Sequence, residues 1–432
     1  VSLKNRPLEL NADFKYALNL LERTSKSLFI TGRAGTGKST LLQLFRNTSR
    51  KKMAVLAPTG IAALNVKGQT IHSFFGFPPR LLSSKDIKKS RKHKLYKALD
   101  LIVIDEISMV RADLLDAINL FLQKNRDVLL PFGGLQMVFI GDLFQLPPIV
   151  ATEFEQRLFE FNYDSPYFFS AKVFDLPFEI EMLELRKIYR QENRHFLRLL
   201  EAVRLNQTDW EDLEDLNQRY DPDFEPAEFY VTLSPRNAKV NQINKRELAN
   251  LETPEFAYTA TIKGNFDPRL YPTDANLHLK IGSQVMFIKN DYENGKYVNG
   301  TIGKVTELEE DVVKILVEER SRQEELEVST AEWEILKYKQ SKEDPKQIDA
   351  EVLGTFEQYP LKLAWAATIH KSQGKTFEKV IIDMGKGAFV HGQTYVALSR
   401  CRTLEGIVFK QKLQLRDIMV DERVVEFYEQ HF

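Results

Sequence analysis

Between two apolar runs, Ser27-Leu28-Phe29-Ile30-Thr31 and Leu41-Leu42-Gln43-Leu44-Phe45, the chain places Gly32-Arg33-Ala34-Gly35-Thr36-Gly37-Lys38-Ser39-Thr40. Gly, four residues, then Gly-Lys-Ser, entered from a strand and leaving into a helix, is the pattern of a phosphate-binding loop. Glycines let successive backbone N–H groups turn inward around an anion, and the helix N-terminus adds partial positive charge. Lys38 is then expected on the β- and γ-phosphates of a nucleotide, with the Ser39 hydroxyl on Mg²⁺. The competing reading is a Gly-rich turn, which leaves the flanking strand and helix signals as coincidence. A loop of this kind also fixes the fold around it, because it opens a parallel α/β sheet.

Further buried-strand signals follow. Met53-Ala54-Val55-Leu56-Ala57 ends at Pro58-Thr59-Gly60, and Leu101-Ile102-Val103-Ile104 ends in Asp105-Glu106. Ligands of open α/β sheets bind where strands exit. Asp105 therefore suits a Mg²⁺-linked position and Glu106 the base that orients a water against the γ-phosphate. Gln136-Met137-Val138-Phe139-Ile140 exits into Gly141-Asp142-Leu143-Phe144-Gln145, where Gln145 suits a γ-phosphate or water sensor and a polar turn is the alternative. Asn11 is placed to cap a helix carrying Phe14, Leu18 and Leu21 on one face. Two stretches stay open. Gln69–Phe75 mixes polar and aromatic residues, so Phe74 and Phe75 suit either base stacking or core. The basic run from Arg80 to Lys97 suits either a solvated face or a nucleic-acid backbone. Four apolar strands with intervening helices give one doubly wound domain, ending near residue 174.

After it the pattern restarts. Glu179–Leu185 reads as a strand before Tyr189-Arg190-Gln191. Phe229–Leu233 reads as another, before Ser234-Pro235-Arg236-Asn237. Leu363–His370 leads into Lys371-Ser372-Gln373-Gly374, and Tyr395–Arg402 precedes Ile407-Val408-Phe409. This second α/β domain has no phosphate loop but carries arginines at element ends. Residues 305–361 are β-rich and highly charged, which reads as a small inserted barrel.

Net charge is −1 over 432 residues, so any nucleic-acid contact must come from a local basic groove. Cys401 is the one cysteine, which excludes an intrachain disulfide and makes a reducing compartment the expectation. No apolar run reaches membrane-spanning length, and no signal-peptide pattern is seen. A bacterial cytoplasm is the expected location, with nucleus or mitochondrion as alternatives.

In this order the motifs resemble the motor core of superfamily-one helicases, specifically the PIF (petite integration frequency) family, close to RecD-like enzymes. The likeness rests on Gly32–Thr40, Ala57–Ala62, Thr70–Phe75, Ile104–Met109, Gly141–Pro148, Glu181–Arg204, Leu233–Asn244, Gln284–Asn290, Asn299-Gly300, Thr368–Gly374 and Tyr395–Arg402. It implies an α/β protein of two tandem RecA-like domains. Residues 1–174 form the first, with a small wedge at 64–79. Residues 175–304 and 362–432 form the second, with an SH3-like insertion at 305–361. It implies an ATP- and Mg²⁺-dependent helicase moving 5′-to-3′ on single-stranded DNA, with tailed duplexes and G-quadruplexes as substrates, and a monomer in solution.

The resemblance also assigns residues. Gly32, Ala34, Gly35, Thr36, Gly37, Lys38, Ser39, Thr40, Gln145 and Gly374 would hold ATP, with Arg190 and Arg400 as arginine fingers. Pro58, Thr59, Gly60, His72, Phe75, Ser234, Arg236, Asn237, Thr368, His370, Lys371 and Ser372 would contact DNA. One departure stands out. The family usually carries an N-terminal Gln that reads adenine, whereas Leu10–Lys15 has none, leaving Asn11 or Phe14 for the base. The rival readings are an RNA helicase with the same motor, or a P-loop ATPase that remodels proteins.

Overall fold

Runs of consecutive buried apolar residues can sit only in strands covered on both faces, and four of them build the middle of the first sheet. The computed structural model describes residues 10–432 apart from 79, 83, 151, 192, 292–294, 320–321 and 342–347. Within it the chain forms two units, one of residues 10–189, 334–354 and 422–432, the other of residues 190–333 and 355–421.

The first unit holds β1 (Ser27–Gly32), β2 (Met53–Ala57), β3 (Gln69–Thr70), β4 (Leu101–Ile104), β5 (Gln136–Ile140) and β6 (Ile180–Leu185). They form one parallel six-stranded sheet in the order β3-β2-β4-β5-β1-β6. Its helices include α1 (Ala12–Arg23), α2 (Lys38–Thr48), α3 (Gly60–Asn65), α4 (Ile71–Phe75), α5 (His93–Ala98) and α6 (Ala112–Arg126). The Asn11 side chain caps α1 by accepting from the Phe14 N–H at 2.8 Å. Phe14 and Leu21 are then buried against Leu28, Ile30, Leu41 and Phe45, with Leu18 packed at the edge of that cluster.

The expected boundary at 174 moves. Ile180–Leu185 does not open the second domain; it is the edge strand of the first sheet, paired with β1 from Ser27↔Ile180 to Gly32↔Leu185. An edge strand is half-exposed, so Glu181 and Glu184 interrupt its apolar pattern and hide its membership. The C-terminus also returns to this unit. In the helix Glu422–His431, Phe427 stacks on Phe169 with ring centres 4.4 Å apart, and the Tyr428 hydroxyl donates to Glu184 at 2.7 Å. The proposed wedge at 64–79 contains the end of α3, strand β3 and α4, while Pro79 lies outside the described residues.

In the second unit β7 (Val231–Ser234) begins a parallel sheet. Strands β8 to β17 are, in turn, Glu255–Thr259, Thr261–Gly264, Asn276–Lys280, Gln284–Phe287, Ile302–Leu308, Val313–Glu319, Arg322–Glu327, Ala331–Gln340, Ile348–Gln358 and Leu361–Leu363. Five of these form an antiparallel sheet, β14-β13-β12-β11-β17, of the SH3-like kind. Its core is built from residues such as Val285, Phe287, Val305, Ile315 and Leu361. The β-rich insertion therefore starts before residue 305. A Cβ at Gly303 would lie 2.2 Å from Ile315 Cγ2, so β12 and β13 can pair this closely only with glycine there.

Residues 334–354, expected in the insertion, group instead with the first unit. There the Tyr338 hydroxyl accepts from the Val55 N–H at 3.2 Å, and the Tyr338 N–H donates to Gln69 Oε1 at 3.3 Å. The chain then returns through β18 (Ala366–Thr368), β19 (Val380–Ile382) and β20 (Ile407–Phe409). These complete a parallel sheet in the order β18-β7-β19-β20.

Candidate nucleotide and nucleic-acid sites

β1 delivers the chain to the loop and α2 takes it away at Lys38. Gly35 and Gly37 have φ of 85° and 87°, a left-handed backbone that favours glycine. A Cβ at Gly37 would meet the Phe14 ring at 3.0 Å, and one at Gly32 would lie 2.7 Å from the Leu185 carbonyl. The turn is tied by the Thr36 hydroxyl, which donates to the Arg33 carbonyl at 2.9 Å. Lys38 folds its ammonium over the loop, donating to the carbonyls of Gly32 (2.6 Å) and Arg33 (3.1 Å). Ser39 and Thr40 are exposed at the start of α2.

Phe14 is 2% exposed and packed against the loop, so it cannot stack on a base; its role is to support Gly37 from below. Asn11 is engaged twice, as the cap of α1 and as a donor to the Tyr189 hydroxyl at 3.1 Å. Tyr189 is the residue that sequence reasoning passed over. Its N–H donates to the Gly35 carbonyl at 2.9 Å, and its ring is 46% exposed beside the loop. The usable signal was its place just beyond β6, which hides as an edge strand.

β4 ends at a buried carboxyl. Burial, and then the neighbouring Glu106 charge, push Asp105 up to about 7, against the Glu106 backbone N–H and the Lys38 charge, which pull the other way. Glu106 itself stands at φ 51°, a left-handed conformation rare for a residue with a side chain. Two adjacent carboxyl side chains at a strand exit, one of them buried, are oxygen donors of the kind a hard divalent cation takes. Among the described residues no cluster of three or more His, Cys, Asp or Glu could cage a metal. The donor set fits Mg²⁺, which is usually held by one or two carboxylates together with substrate phosphates.

The exit of β5 packs onto the same region. A Cβ at Gly141 would lie 2.9 Å from Ile107 Cγ2, which brings the Asp142–Gln145 turn beside the Asp105–Met109 segment. Gln145 is buried and donates through Nε2 to Asp142 at 3.2 Å. At the exit of β2, Pro58 precedes Thr59, whose hydroxyl caps α3 by accepting from Ala62 N–H at 3.3 Å, and Gly60 opens the helix. His72 is half-buried on α4, and burial pushes its pKa down, leaving it neutral near pH 7.

Phe75 requires a correction. It is 5% exposed, stacks on Phe77 at 5.3 Å and meets Phe121 edge-on at 5.2 Å; Phe74 packs beside it at 4.9 Å. These rings are core, because α4 turns its aromatic face onto α5 and α6 and leaves no π-face for a base.

In the second unit, β7 and β18 are neighbours with Ser234 opposite Thr368, so their exits lie together. Three of the hydroxyl residues turn inward. Ser234, Thr368 and Ser372 are buried, Ser372 donates to the Ile369 carbonyl at 2.7 Å, and Thr368 Oγ1 accepts from the Lys371 N–H at 3.2 Å. They shape the turn, whereas Arg236, Asn237, His370 and Lys371 are exposed on it.

The two arginines are close as well. Arg400, 1% exposed, donates to the carbonyls of Val396 (2.9 Å) and Lys375 (3.3 Å) and to the Ser399 hydroxyl (2.8 Å). Arg190 donates to the Ser399 carbonyl at 3.0 Å. Burial and then the Arg400 charge bring the Arg190 pKa down to about 9. Both guanidiniums are thus held at Ser399, Arg190 on its carbonyl and Arg400 on its hydroxyl. Gly374, with φ 78°, precedes the Lys375 carbonyl that holds Arg400. Gln191, not expected to matter, pins this corner by donating to the carbonyls of Ser399 (3.2 Å) and Cys401 (3.0 Å).

Residues 10–214 match the model of the PIF1-like helicase family, and residues 270–308 match that of the DNA helicase Pif1 2B domain. The chain is 32% identical to the ATP-dependent DNA helicase Pif1 of Bdellovibrio bacteriovorus, over 98% of this chain and 92% of the relative. Its identity to human ATP-dependent DNA helicase PIF1 is also 32%, over 93% of this chain; there it spans 61% of the longer relative. Among solved structures, Bacteroides sp. Pif1 in complex with ADP-AlF4 is 36% identical, with a TM-score of 0.90 over 98% of this chain and 97% of that one. The same Pif1 bound to ssDNA matches with a TM-score of 0.68. With two relatives this similar over nearly its full length, the chain belongs to the PIF1-like helicase family.

Proposed function

We propose that this chain is an ATP-dependent DNA helicase that moves 5′-to-3′ along single-stranded DNA and separates duplexes, with G-quadruplex DNA as a further substrate. The observation that carries the reading is the convergence of Lys38, Asp105 and Glu106 at one sheet edge, on a loop whose glycines are enforced by contact. Bacteroides Pif1 has been solved with ADP-AlF4 and with ssDNA, and both ligand classes are carried here to this chain.

In this mechanism Lys38 leaves the loop carbonyls for the β- and γ-phosphates, while inward N–H groups and the N-terminus of α2 hold the phosphate chain. Ser39 and Asp105 would hold Mg²⁺, which supplies charge neutralisation on the phosphates. Glu106 takes a proton from the attacking water, and Gln145, beside it through the Asp142 turn, orients that water. Arg190 and Arg400 are the cations assigned to charge developing on the γ-phosphate. Tyr189 offers the adenine platform, with Asn11 in place of the family's usual Gln. Arg236, Asn237, His370 and Lys371 hold the DNA strand in the second unit, and Pro58, Thr59, Gly60 and His72 in the first. The protein acts as a monomer in the cytoplasm of a bacterial cell. Among the described residues no helix is long and apolar enough to cross a membrane.

ATP hydrolysis measured with and without single-stranded DNA, single-stranded RNA or neither tests the reading. DNA is expected to stimulate hydrolysis well above RNA, and Glu106→Gln to lower the stimulated rate by about 10²–10⁴-fold, the usual worth of a general base. Hydrolysis indifferent to nucleic acid would favour protein remodelling, and a near-wild-type Glu106→Gln rate would remove Glu106 as the base.

A further inference from the structure

In a parallel sheet every strand exits on the same edge, so the order β18-β7-β19-β20 sets four exits in a row. The exits of β18 and β7 carry Lys371, His370, Arg236 and Asn237. Those of β19 and β20 open onto a cavity of ≈410 Å³ lined by the segments 384–387 and 410–414, with Tyr220 and Arg416 at its wall.

The lining is basic. Lys386, Lys410, Lys412 and Arg416 face one carboxylate, Asp417, and that carboxylate already accepts from the Gln414 N–H at 2.9 Å. Lys410 is tied to the carbonyls of Pro222 (2.9 Å) and Phe224 (2.7 Å), so it builds the floor. Lys386, Lys412 and Arg416 are exposed, with the Lys412 ammonium 5.5 Å from the centre of the Tyr220 ring. The loop is drawn tightly over Asp417. A Cβ at Gly387 (φ 109°) would lie 2.5 Å from Asp417 Oδ1, which keeps the entrance free of side chains there. Between the two halves of the edge stands Asp383, and Lys239 neutralises it through an ion pair.

We infer that this cavity is a second phosphate-binding stretch, where Lys386, Lys412 and Arg416 take the phosphodiester backbone of the same DNA strand that crosses the exits of β18 and β7. The inference rests on the DNA-helicase reading above. Neighbouring strands are about 4.8 Å apart, so three steps from β18 to β20 span roughly 15 Å. A single strand laid along that edge can therefore meet both halves with neighbouring phosphates. Phosphate contacts of this kind fix register without reading sequence, as a translocating motor requires.

The test is the salt dependence of single-stranded DNA binding, by fluorescence anisotropy, for the wild type and the triple variant Lys386→Ala/Lys412→Ala/Arg416→Ala. Thermal melting checks that both are folded, and the charge-retaining pair Lys386→Arg/Lys412→Arg is measured in parallel. Each lost contact removes about 0.7 from the slope of log K against log salt, so the triple variant is expected to lose about 2 while the charge-retaining pair keeps the wild-type slope. An unchanged slope in a folded triple variant, with the wild type binding DNA, overturns the inference. An unchanged slope with inorganic phosphate stabilising only the wild type also overturns it, in favour of a free-phosphate site. Failure of the wild type itself to bind DNA removes the helicase reading instead.

Discussion

Asp105 carries the sharpest consequence at the scale of one residue. Its folded-state pKa, raised to about 7 from 3.8, means that the folded protein holds this proton more tightly than the unfolded chain does. In the nucleotide- and metal-free protein, stability is therefore lost as pH rises from the ordinary carboxylate range through about 7. Asp105→Asn removes that loss. Melting curves without nucleotide are expected to show the variant stabilised by well over ~1 kcal/mol at pH 8, less so at pH 5, and near the wild type only at about pH 4 and below, since each pKa unit crossed corresponds to about 1.4 kcal/mol. ATP hydrolysis should fall in the same variant. Equal pH profiles would show that burial does not raise this carboxyl. The acid pair was legible in the sequence as an apolar run ending in Asp-Glu, because a buried parallel strand must expose its first polar residues at its exit. Tyr189 was not, since its place beside the loop follows from a backbone bond to Gly35 that no local pattern announces.

Elements divide by how completely they are buried. β1, β2, β4 and β5 read directly as apolar runs. β6 pairs with β1 at the sheet edge, and its two glutamates look like the start of something new. α4 shows the opposite difficulty: Phe74 and Phe75 fit a base-stacking surface and a core equally well by composition, and only the positions of α5 and α6 decide between them. Phe75→Ala is accordingly expected to cost about 3–5 kcal/mol of stability, as for large aromatic truncations in a core. Under conditions where the variant remains folded, its affinity for single-stranded DNA should match the wild type. A loss of affinity by about 1–3 kcal/mol, the worth of one stacked base, would return the ring to the DNA surface.

At the scale of the whole molecule, two parallel sheets each present their strand exits as a functional edge, one rich in phosphate-loop glycines and acids, the other in arginines and lysines. With a net charge of −1, affinity for a polyanion has to be concentrated at such edges and must fall steeply with salt. The order of motifs conveyed this plan, but not how the chain is shared out. Residues 334–354 and 422–432 return to the first unit through Tyr338, Phe427 and Tyr428, contacts between segments far apart in sequence that periodicity cannot reveal. A DNA motor of fixed polarity separates strands from one kind of tail only, which ATP-driven unwinding of one duplex bearing either a 5′ or a 3′ single-stranded DNA tail measures. Separation from the 5′ tail alone is expected; separation from the 3′ tail alone, or from neither, would contradict a 5′-to-3′ motor.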